Sequence, residues 1–336
     1  MTSGAPNILI VKYSSLGDVV NAVPAVNLLR RERPKALVYW LLRKEYAGLI
    51  SANPCVDGVI VYERGGFRDV VKKIRALKID VAIDLQGLFK SGLIGYLSGA
   101  KTRVSFPHTR EGSSVFYTQR LGLKREGVHA VMENLSVIEE FTGKRCGSGH
   151  VSGISLNGAA TEKAALLIGG GVPFVAVSPT SRWRTKMWGQ GAFTSLADML
   201  IENSGVRVFF TGADSDRGYI EGILKGMKHQ AINLAGRTDL KTLAGVFRAA
   251  RLVVSCDSGS MHLASAVGAP VVAVFGPTDP RYTGPFGKNS LVVTAPVDCS
   301  PCRKRNCGDM KCMARVTPEM VFDGARRFLG EKYERA

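Results

Sequence analysis

The sequence of 336 residues contains no apolar run as long as the roughly 18 residues that a membrane-spanning helix requires. The apolar stretch near its start, Ile8–Val11, is also too short to be the core of a secretory signal peptide. We therefore expect a cytoplasmic protein without a transmembrane segment.

Acidic side chains are scarce relative to basic ones. The chain has 28 Asp and Glu against 45 Lys and Arg, which gives a net charge of +17. The excess is spread almost evenly over residues 1–150 and 151–336, and such a field suits an anionic substrate, an anionic membrane surface or nucleic acid. Because no nucleic-acid-binding module or aromatic stacking platform is recognisable, we do not expect nucleic acid.

A G-x-G-x-x-G fingerprint is missing after the first predicted strand, which argues against a dinucleotide bound to the first half. What is present is a regular alternation of strands and helices, interrupted by Gly and Ser over 143–172 and resumed at 173–179. The alternation predicts an α/β protein of two Rossmann-like, doubly wound domains facing a central cleft. The predicted domains are 1–150 and 151–317, and a helix in 318–336 is a candidate for crossing back to the first domain.

The segment Lys12–Asp18 (KYSSLGD) follows the first strand and begins a helix. Gly17 permits a tight turn or a close backbone approach. Asp18 has two interpretations. It is either a simple helix cap, since Asp and Ser favour helix N-termini, or a functional carboxylate at the edge where such sheets bind ligands.

Two segments of the second half have the composition of phosphate-binding turns. In VSCDSGSMH (254–262), a strand ends at Asp257 and a helix begins near Gly259, so that backbone N–H groups are available for an anion. In SPTSRWRTKMW (178–188), hydroxyl groups stand beside Arg and Lys. An ordinary capped helix and a solvated loop are the respective alternatives. A third segment, FGPTDP (275–280), contains two prolines and a glycine, which predicts a rigid turn with a scaffolding role.

Cysteine is concentrated in one short segment. Four of the seven cysteines lie at Cys299, Cys302, Cys307 and Cys312. Four thiols could close a tetrahedral zinc site, although the spacing is not the usual pair of C-x-x-C elements. Inert or redox-active thiols are the alternative, and no catalytic role is expected.

Taken together, seven segments resemble glycosyltransferase family 9, the ADP-heptose:lipopolysaccharide heptosyltransferases: ILIVKYSSLGDVV, AIDLQGLFKS, SPTSRWRTKMW, FFTGADSD, NLAGRTDL, VSCDSGSMHLA and FGPTDP. The resemblance implies a GT-B fold and an inverting transfer that requires no metal or other cofactor. The implied donor is ADP-heptose, and the implied acceptor is the Kdo or heptosyl-Kdo inner core on lipid A. KYSSLGDVV and DLQGLFKS resemble heptosyltransferase I, whereas the cysteine segment is more typical of heptosyltransferase II.

The resemblance also implies roles for individual residues. Asp18 matches the catalytic base, with Lys12, Ser15 and Gly17 beside it on the acceptor side. Lys186 matches the lysine at the diphosphate and counts with Asp18 as catalytic. The remaining donor-site matches are Thr180, Ser181, Asp216, Asp257, Ser258, Gly259 and His262.

An anionic acceptor predicts a basic binding surface and peripheral attachment to the anionic cytoplasmic face of the inner membrane. The candidates are Arg64, Arg68, Lys72, Lys73, Arg75, Arg110 and Arg120. Each of them could instead be a solvated surface charge. The alternative functions are transfer from a different sugar donor and non-catalytic binding of a nucleotide sugar or glycolipid. An epimerase would need the missing dinucleotide fingerprint.

Overall fold

The computed structural model describes residues 5–123, 126–146 and 153–330. The chain divides into two compact units, Met1–Ser155 (unit 1) and Leu156–Ala336 (unit 2). The predicted domain boundary between 150 and 151 lies outside the described residues, as does the end of the predicted C-terminal helix, 331–336. The exact domain limits therefore stay a prediction.

Unit 1 is built on a parallel sheet of six strands in the order β3-β2-β1-β4-β5-β6. The strands are β1 (Asn7–Val11), β2 (Leu37–Arg43), β3 (Gly58–Tyr62), β4 (Val81–Asp84), β5 (Thr102–Ser105) and β6 (Gln119–Arg120). The helices are α1 (Leu16–Glu32), α2 (Lys44–Ile50), α3 (Phe67–Ala76), α4 (Phe89–Leu97) and α5 (Ala130–Thr142), and a 3-10 helix spans Ser113–Phe116.

Unit 2 repeats this architecture in the order β12-β11-β10-β7-β8-β9. The strands are β7 (Phe174–Ser178), β8 (Arg207–Phe210), β9 (Ile232–Asn233), β10 (Leu252–Cys256), β11 (Val271–Val274) and β12 (Ser290–Val293). The helices are α6 (Gly158–Ile168), α7 (Gln190–Ser204), α8 (Arg217–Gly226), α9 (Leu240–Ala249), α10 (Gly259–Ala266), α11 (Pro280–Thr283), α12 (Lys311–Ala314) and α13 (Pro318–Leu329). Further 3-10 helices span Arg184–Lys186 and Asp214–Asp216.

The central strands of both sheets are buried along nearly their whole length, from Ile8 to Val11 in β1 and throughout β7 and β10. Strands covered by helices on both faces need continuous apolar sequences, which explains the unbroken runs seen in the sequence. In each sheet the strand order reverses beside the first strand, between β1 and β4 and between β7 and β10. Doubly wound sheets bind ligands at the carboxyl end of such a switch point.

The predicted α/β class with two doubly wound parallel sheets is confirmed. Helix α13 packs against α7 and against β10, β11 and β12, all within unit 2. A return of the chain end to unit 1 stays a prediction. Over the three described ranges, no helix has both the length and the apolar character that crossing a membrane requires.

Candidate active site

Asp18 lies in the first turn of α1, directly beyond the carboxyl end of β1. Its Oδ2 accepts hydrogen bonds from the Ser15 backbone N–H at 2.9 Å and from the Ser15 hydroxyl at 2.7 Å. This reciprocal capping box stabilises the helix start, so Asp18 is indeed a helix cap. Its side chain is nevertheless exposed, whereas the neighbouring Gly17 is buried. The carboxylate is thus both oriented and accessible, and the two interpretations do not compete.

Lys12 is a buried cation at the same switch point. It is 9% exposed, and its Nζ donates to the Leu85 carbonyl at 2.5 Å. Burial lowers the pKa of Lys12, and the positive charge of Arg110 lowers it further. Three carboxylates oppose that shift, those of Asp18, Asp84 and Glu133. Asp18 and Arg110 are therefore both close enough to Lys12 to act on its charge, and the binding of an acceptor by these residues stays a prediction.

Asp84 belongs to this group, and our sequence-based site did not include it. The residue ends β4 opposite Val11 and is 1% exposed. Its Oδ1 accepts from the backbone of the following turn, and its Oδ2 accepts from the Tyr117 hydroxyl at 2.7 Å. Burial raises the pKa of Asp84, and these hydrogen bonds oppose the increase. An aspartate at the end of a buried strand next to β1 was the available signal.

The remaining basic candidates of unit 1 do not join Lys12 in one pocket. Arg68, Lys72 and Arg75 line a groove of about 510 Å³ together with Phe67, Val71 and Leu97. Arg120 lines a second groove of about 300 Å³ beside the 3-10 helix. Arg64 and Lys73 are exposed but line neither groove. The predicted acceptor residues are thus divided over separate parts of unit 1.

In unit 2, Lys186 and Asp257 meet at the switch point. Lys186 follows β7 and Asp257 follows the neighbouring strand β10, and their Nζ and Oδ2 atoms are 2.6 Å apart. The Thr278 hydroxyl donates to the same Oδ2 at 2.5 Å. The two charged side chains are 16% and 5% exposed. Thr278 was not predicted for the site: the turn expected to be scaffolding also supplies a hydroxyl to the carboxylate.

Other predicted donor-site residues surround this ion pair. The Ser181 hydroxyl donates to the Asp257 carbonyl at 2.8 Å. Ser258 is the N-cap of α10, Gly259 is its first residue, and His262 is buried within that helix. Thr180 is half-buried directly after β7.

Asp216 lies beyond β8 and accepts a hydrogen bond from the backbone of Ala213 at 2.8 Å. Within the described residues this carboxylate shows no hydrogen bond to Lys186 or Asp257. Its predicted contact with a ribose stays a prediction.

The four clustered cysteines form no disulfide bonds in the structure and differ in exposure: Cys299 and Cys307 are exposed, Cys302 is half-buried and Cys312 is buried. Burial raises the pKa of Cys312, and the neighbouring Cys299 and Cys302 raise it further. In the part of the chain that the structure describes, no three Cys, His, Asp or Glu side chains are arranged to hold a metal ion. A structural zinc site at these four thiols therefore stays a prediction.

The repeated Rossmann-like sheet, with polar side chains at both switch points, is the architecture of the GT-B glycosyltransferases. A family model described as glycosyltransferase family 9 (heptosyltransferase) matches residues 67–313, and the chain belongs to this family. The protein is therefore a glycosyltransferase. Asp18 precedes the matched range.

Relatives and solved structures extend over nearly the whole chain. A lipopolysaccharide heptosyltransferase 1 of Pseudomonas aeruginosa is 26% identical, over 94% of this chain and 95% of the relative. The structure of E. coli ADP-heptose lipopolysaccharide heptosyltransferase II covers 96% of this chain and 98% of its own, with 21% identity and a TM-score of 0.82. An E. coli heptosyltransferase solved with ADP covers 96% and 99%, with 23% identity and a TM-score of 0.77. These structures confirm the predicted GT-B fold.

Proposed function

We propose that the protein catalyses inverting, metal-independent transfer of heptose from ADP-heptose to the inner core of a lipid A-linked lipopolysaccharide acceptor. The observation that carries the proposal is the oriented, exposed Asp18 carboxylate at the unit 1 switch point. Family membership supports the sugar, and relatives named as lipopolysaccharide heptosyltransferases support the acceptor.

Asp18 is the general base of this reaction. Its carboxylate takes the proton of an acceptor hydroxyl while the hydroxyl oxygen bonds to the anomeric carbon. The bond from that carbon to the diphosphate oxygen breaks, its electron pair leaves with ADP, and the anomeric configuration inverts. Both Ser15 hydrogen bonds end on Oδ2 and orient the carboxylate for this role.

Unit 2 binds the donor. Lys186 and the backbone N–H groups at the start of α10 bind the diphosphate and stabilise the charge that develops on it. Asp257 and Thr278 fix the position of Lys186 through their short contacts. The hydroxyls of Thr180, Ser181 and Ser258 complete the phosphate contacts, and Asp216 contacts the ribose. A heptosyltransferase with this fold binds ADP, which supports the nucleotide assignment.

The acceptor is an anionic inner-core glycolipid, bound by the basic residues of unit 1. Kdo-lipid A, the heptosyltransferase I acceptor, is the first choice because the Pseudomonas relative carries that designation. Heptosyl-Kdo-lipid A, the type II acceptor, is the second. The test is incubation with ADP-heptose and either glycolipid, with products identified by mass spectrometry. A gain of one heptose supports the proposal, and transfer from a different nucleotide sugar alone contradicts the donor assignment.

A non-catalytic binding module is the remaining alternative. Binding of ADP-heptose without transfer to either glycolipid would favour it. The proposed reaction needs no cofactor. Zinc at the four thiols is kept as a structural proposal only, and metal analysis of the purified protein should then show about one zinc per chain. Protein that is fully folded without metal would contradict it.

The same glycolipid requires contact with a membrane surface, and one face of unit 1 is suited to it. Phe89 and Tyr96 on α4 are 47% and 54% exposed, and Val115 in the 3-10 helix is 77% exposed. Phe116 joins them, because its ring packs against both Phe89 and Tyr96. The basic groove along α3 includes Leu97 at the end of α4. Exposed apolar side chains beside cationic ones favour an anionic bilayer surface.

Flotation with phosphatidylglycerol vesicles tests this attachment to the anionic cytoplasmic face of the inner membrane. The Phe89→Ser, Tyr96→Ser double variant should lose vesicle binding. The control is Leu166→Ser, because Leu166 on α6 of unit 2 is 85% exposed and should have no part in docking. Equal binding by both variants, or equal binding to neutral phosphatidylcholine vesicles, would contradict the assignment.

A further inference from the structure

The short segment that carries the clustered thiols also carries three consecutive cations, Arg303, Lys304 and Arg305. We define residues 299–312 as the cysteine segment. Its backbone is attached to the donor loop, because the Thr185 hydroxyl donates to the Lys304 carbonyl at 2.9 Å. Thr185 is 4% exposed and lies between Trp183 and Lys186 in the sequence. This partly buried hydrogen bond therefore fixes the backbone of the residue that directly precedes Arg305.

A second attachment joins the cysteine segment to the turn that supplies Thr278. The Arg303 backbone N–H donates to the Pro277 carbonyl at 2.7 Å, and the Ser300 hydroxyl donates to the Gly276 carbonyl at 2.5 Å. A side chain at Gly276 would collide with the Met313 sulfur. Close packing of Cys312 and Met313 at this glycine therefore holds the end of the cysteine segment against the turn that contains Thr278.

These attachments place Arg305 on the indole ring of Trp183. The Arg305 Cζ lies 4.6 Å from the ring centroid, and the Lys186 Nζ lies 4.6 Å from the same centroid. Two cations on one aromatic side chain repel each other, and negative charge close to them offsets that repulsion. Asp257 contacts Lys186. Arg305, in contrast, has no carboxylate within 4 Å among the described residues.

The charges at this site do not match the ligand proposed for it. Asp257 neutralises Lys186, so the pair has almost no net charge to offer a diphosphate. When the anomeric bond breaks, the departing diphosphate gains a further negative charge. The N–H groups at the start of α10 supply only partial positive charge, so a second full cation close to Lys186 adds to the stabilisation of this anion. A guanidinium is suited to the role because it makes bidentate phosphate contacts.

We propose that Arg305 is a second diphosphate-binding cation of the donor site, and that the cysteine segment serves to hold it there. The inference rests on the proposed function, since it takes ADP-heptose as the donor. In this arrangement Lys186 is fixed by Asp257 and Arg305 supplies the uncompensated positive charge. The segment thus acts through its packing and its cation, independently of any metal at its thiols.

The test compares Arg305→Met, Arg305→Lys and Arg303→Met in the full-length protein. Arg303→Met is the matched control, because Arg303 lies in the same segment on the ring of Tyr282, 5.2 Å from its centroid. Calorimetry measures the binding of ADP and AMP, and steady-state assays measure KM for the donor and the acceptor.

We expect Arg305→Met to weaken ADP binding about 10-fold, as the loss of charged hydrogen bonds predicts, with AMP binding and the acceptor KM unchanged. Arg305→Lys should recover part of the loss, and Arg303→Met should behave as the wild type. Unchanged ADP binding by Arg305→Met overturns the proposal, and so does an equal loss of ADP and AMP binding. If the wild-type protein binds ADP but transfers no heptose, the proposed reaction is contradicted, whereas the role of Arg305 in ADP binding can still be tested. If the wild-type protein binds no ADP, both the proposed reaction and the role of Arg305 are overturned.

Discussion

The two switch points have the same topology and opposite electrostatic arrangements. In unit 1 the buried cation Lys12 is accompanied by three carboxylates, those of Asp18, Asp84 and Glu133, and only Asp18 among them is exposed. In unit 2 one carboxylate, that of Asp257, pairs with Lys186. Lys186 and Arg305 both lie on the indole ring of Trp183. The carboxylate-rich edge suits proton removal, and the cation-rich edge suits a departing anion. One scaffold thus supports two chemical roles, which the residues after the strands decide.

Among substitutions at the two switch points, we expect the largest effect on catalysis at Asp18. Asp18→Asn should lower kcat by about 100-fold or more, because no other exposed carboxylate of the Lys12 group can act as base. Donor KM should change little. Steady-state kinetics measure both constants. The control is Asp239→Asn, because Asp239 caps α9 through the Thr242 N–H at 2.7 Å and has no proposed site role. Equal losses of kcat in Asp18→Asn and Asp239→Asn would show that Asp18 acts only as a helix cap and not as the general base.

Loss of the cation in unit 2 should have the next largest effect. Lys186→Met should lower kcat/KM for the donor about 100-fold, because the diphosphate loses a charged donor and Asp257 is left unpaired. Lys186→Arg should retain part of the activity. The control Lys163→Met removes an exposed lysine that lies 3.6 Å from Asp239 and should leave kinetics unchanged. Wild-type kinetics in Lys186→Met would contradict the proposal that Lys186 of unit 2 binds the diphosphate and stabilises its charge.

A smaller effect is expected at Thr278. Thr278→Val keeps the shape of the side chain but removes the hydroxyl that donates to Asp257. Donor KM should rise about 10-fold, since a hydrogen bond to a charged group is lost and Lys186 is less well positioned. Melting temperature and kinetics should be measured together. A rise in acceptor KM alone would show that the turn belongs to a different site.

The smallest effect concerns stability in unit 1. The pKa of Asp84 is raised by burial, so the folded state binds its proton more tightly than the unfolded state. Its contribution to stability is therefore greatest at low pH and falls as pH rises through the folded pKa. Tyr117→Phe removes a hydrogen bond that favours the carboxylate. The variant should lose about 1 kcal/mol of unfolding free energy at neutral pH and less near pH 4.

Urea unfolding at several pH values measures this difference. The control is Tyr219→Phe in unit 2, because burial raises the pKa of Tyr219 to about 12 without a hydrogen bond to a carboxylate. A loss in Tyr117→Phe that does not depend on pH would show that the hydroxyl acts independently of Asp84.

The sequence predicts the layered α/β architecture well because buried parallel strands require unbroken apolar runs, and residues after such strands gather at one edge. The positions of Asp18 and Asp257 were predicted in this way, whereas the role of Lys186 was implied by the family resemblance. Asp84 also ends a buried strand, which was an available signal, but its place in the site depends on contacts with Lys12 and with Tyr117, which lies 33 residues further along the chain. Such pairings depend on the folded positions of two elements, and local pattern does not encode them.

Thr278 and Arg305 were missed for a related reason. Thr278 lies in a proline-rich turn, and Arg305 lies in a cysteine cluster. Each local pattern predicts a different role, a scaffold or a metal site, and gives no sign of the contact that the residue makes. The Thr278 hydroxyl contacts Asp257, which lies 21 residues earlier in the chain. Arg305 contacts the Trp183 ring because the Thr185–Lys304 hydrogen bond joins the two segments. The basic residues of α3 were placed correctly on one exposed helix, but the sequence did not show that three of them, Arg68, Lys72 and Arg75, line a groove of their own.

The most direct test of the division between the two switch points is ADP affinity, measured by calorimetry in Asp18→Asn and Lys186→Met side by side. The account predicts ADP binding within about twofold of wild type for Asp18→Asn and at least about 10-fold weaker binding for Lys186→Met. Weakened ADP binding in Asp18→Asn together with unchanged binding in Lys186→Met would contradict it.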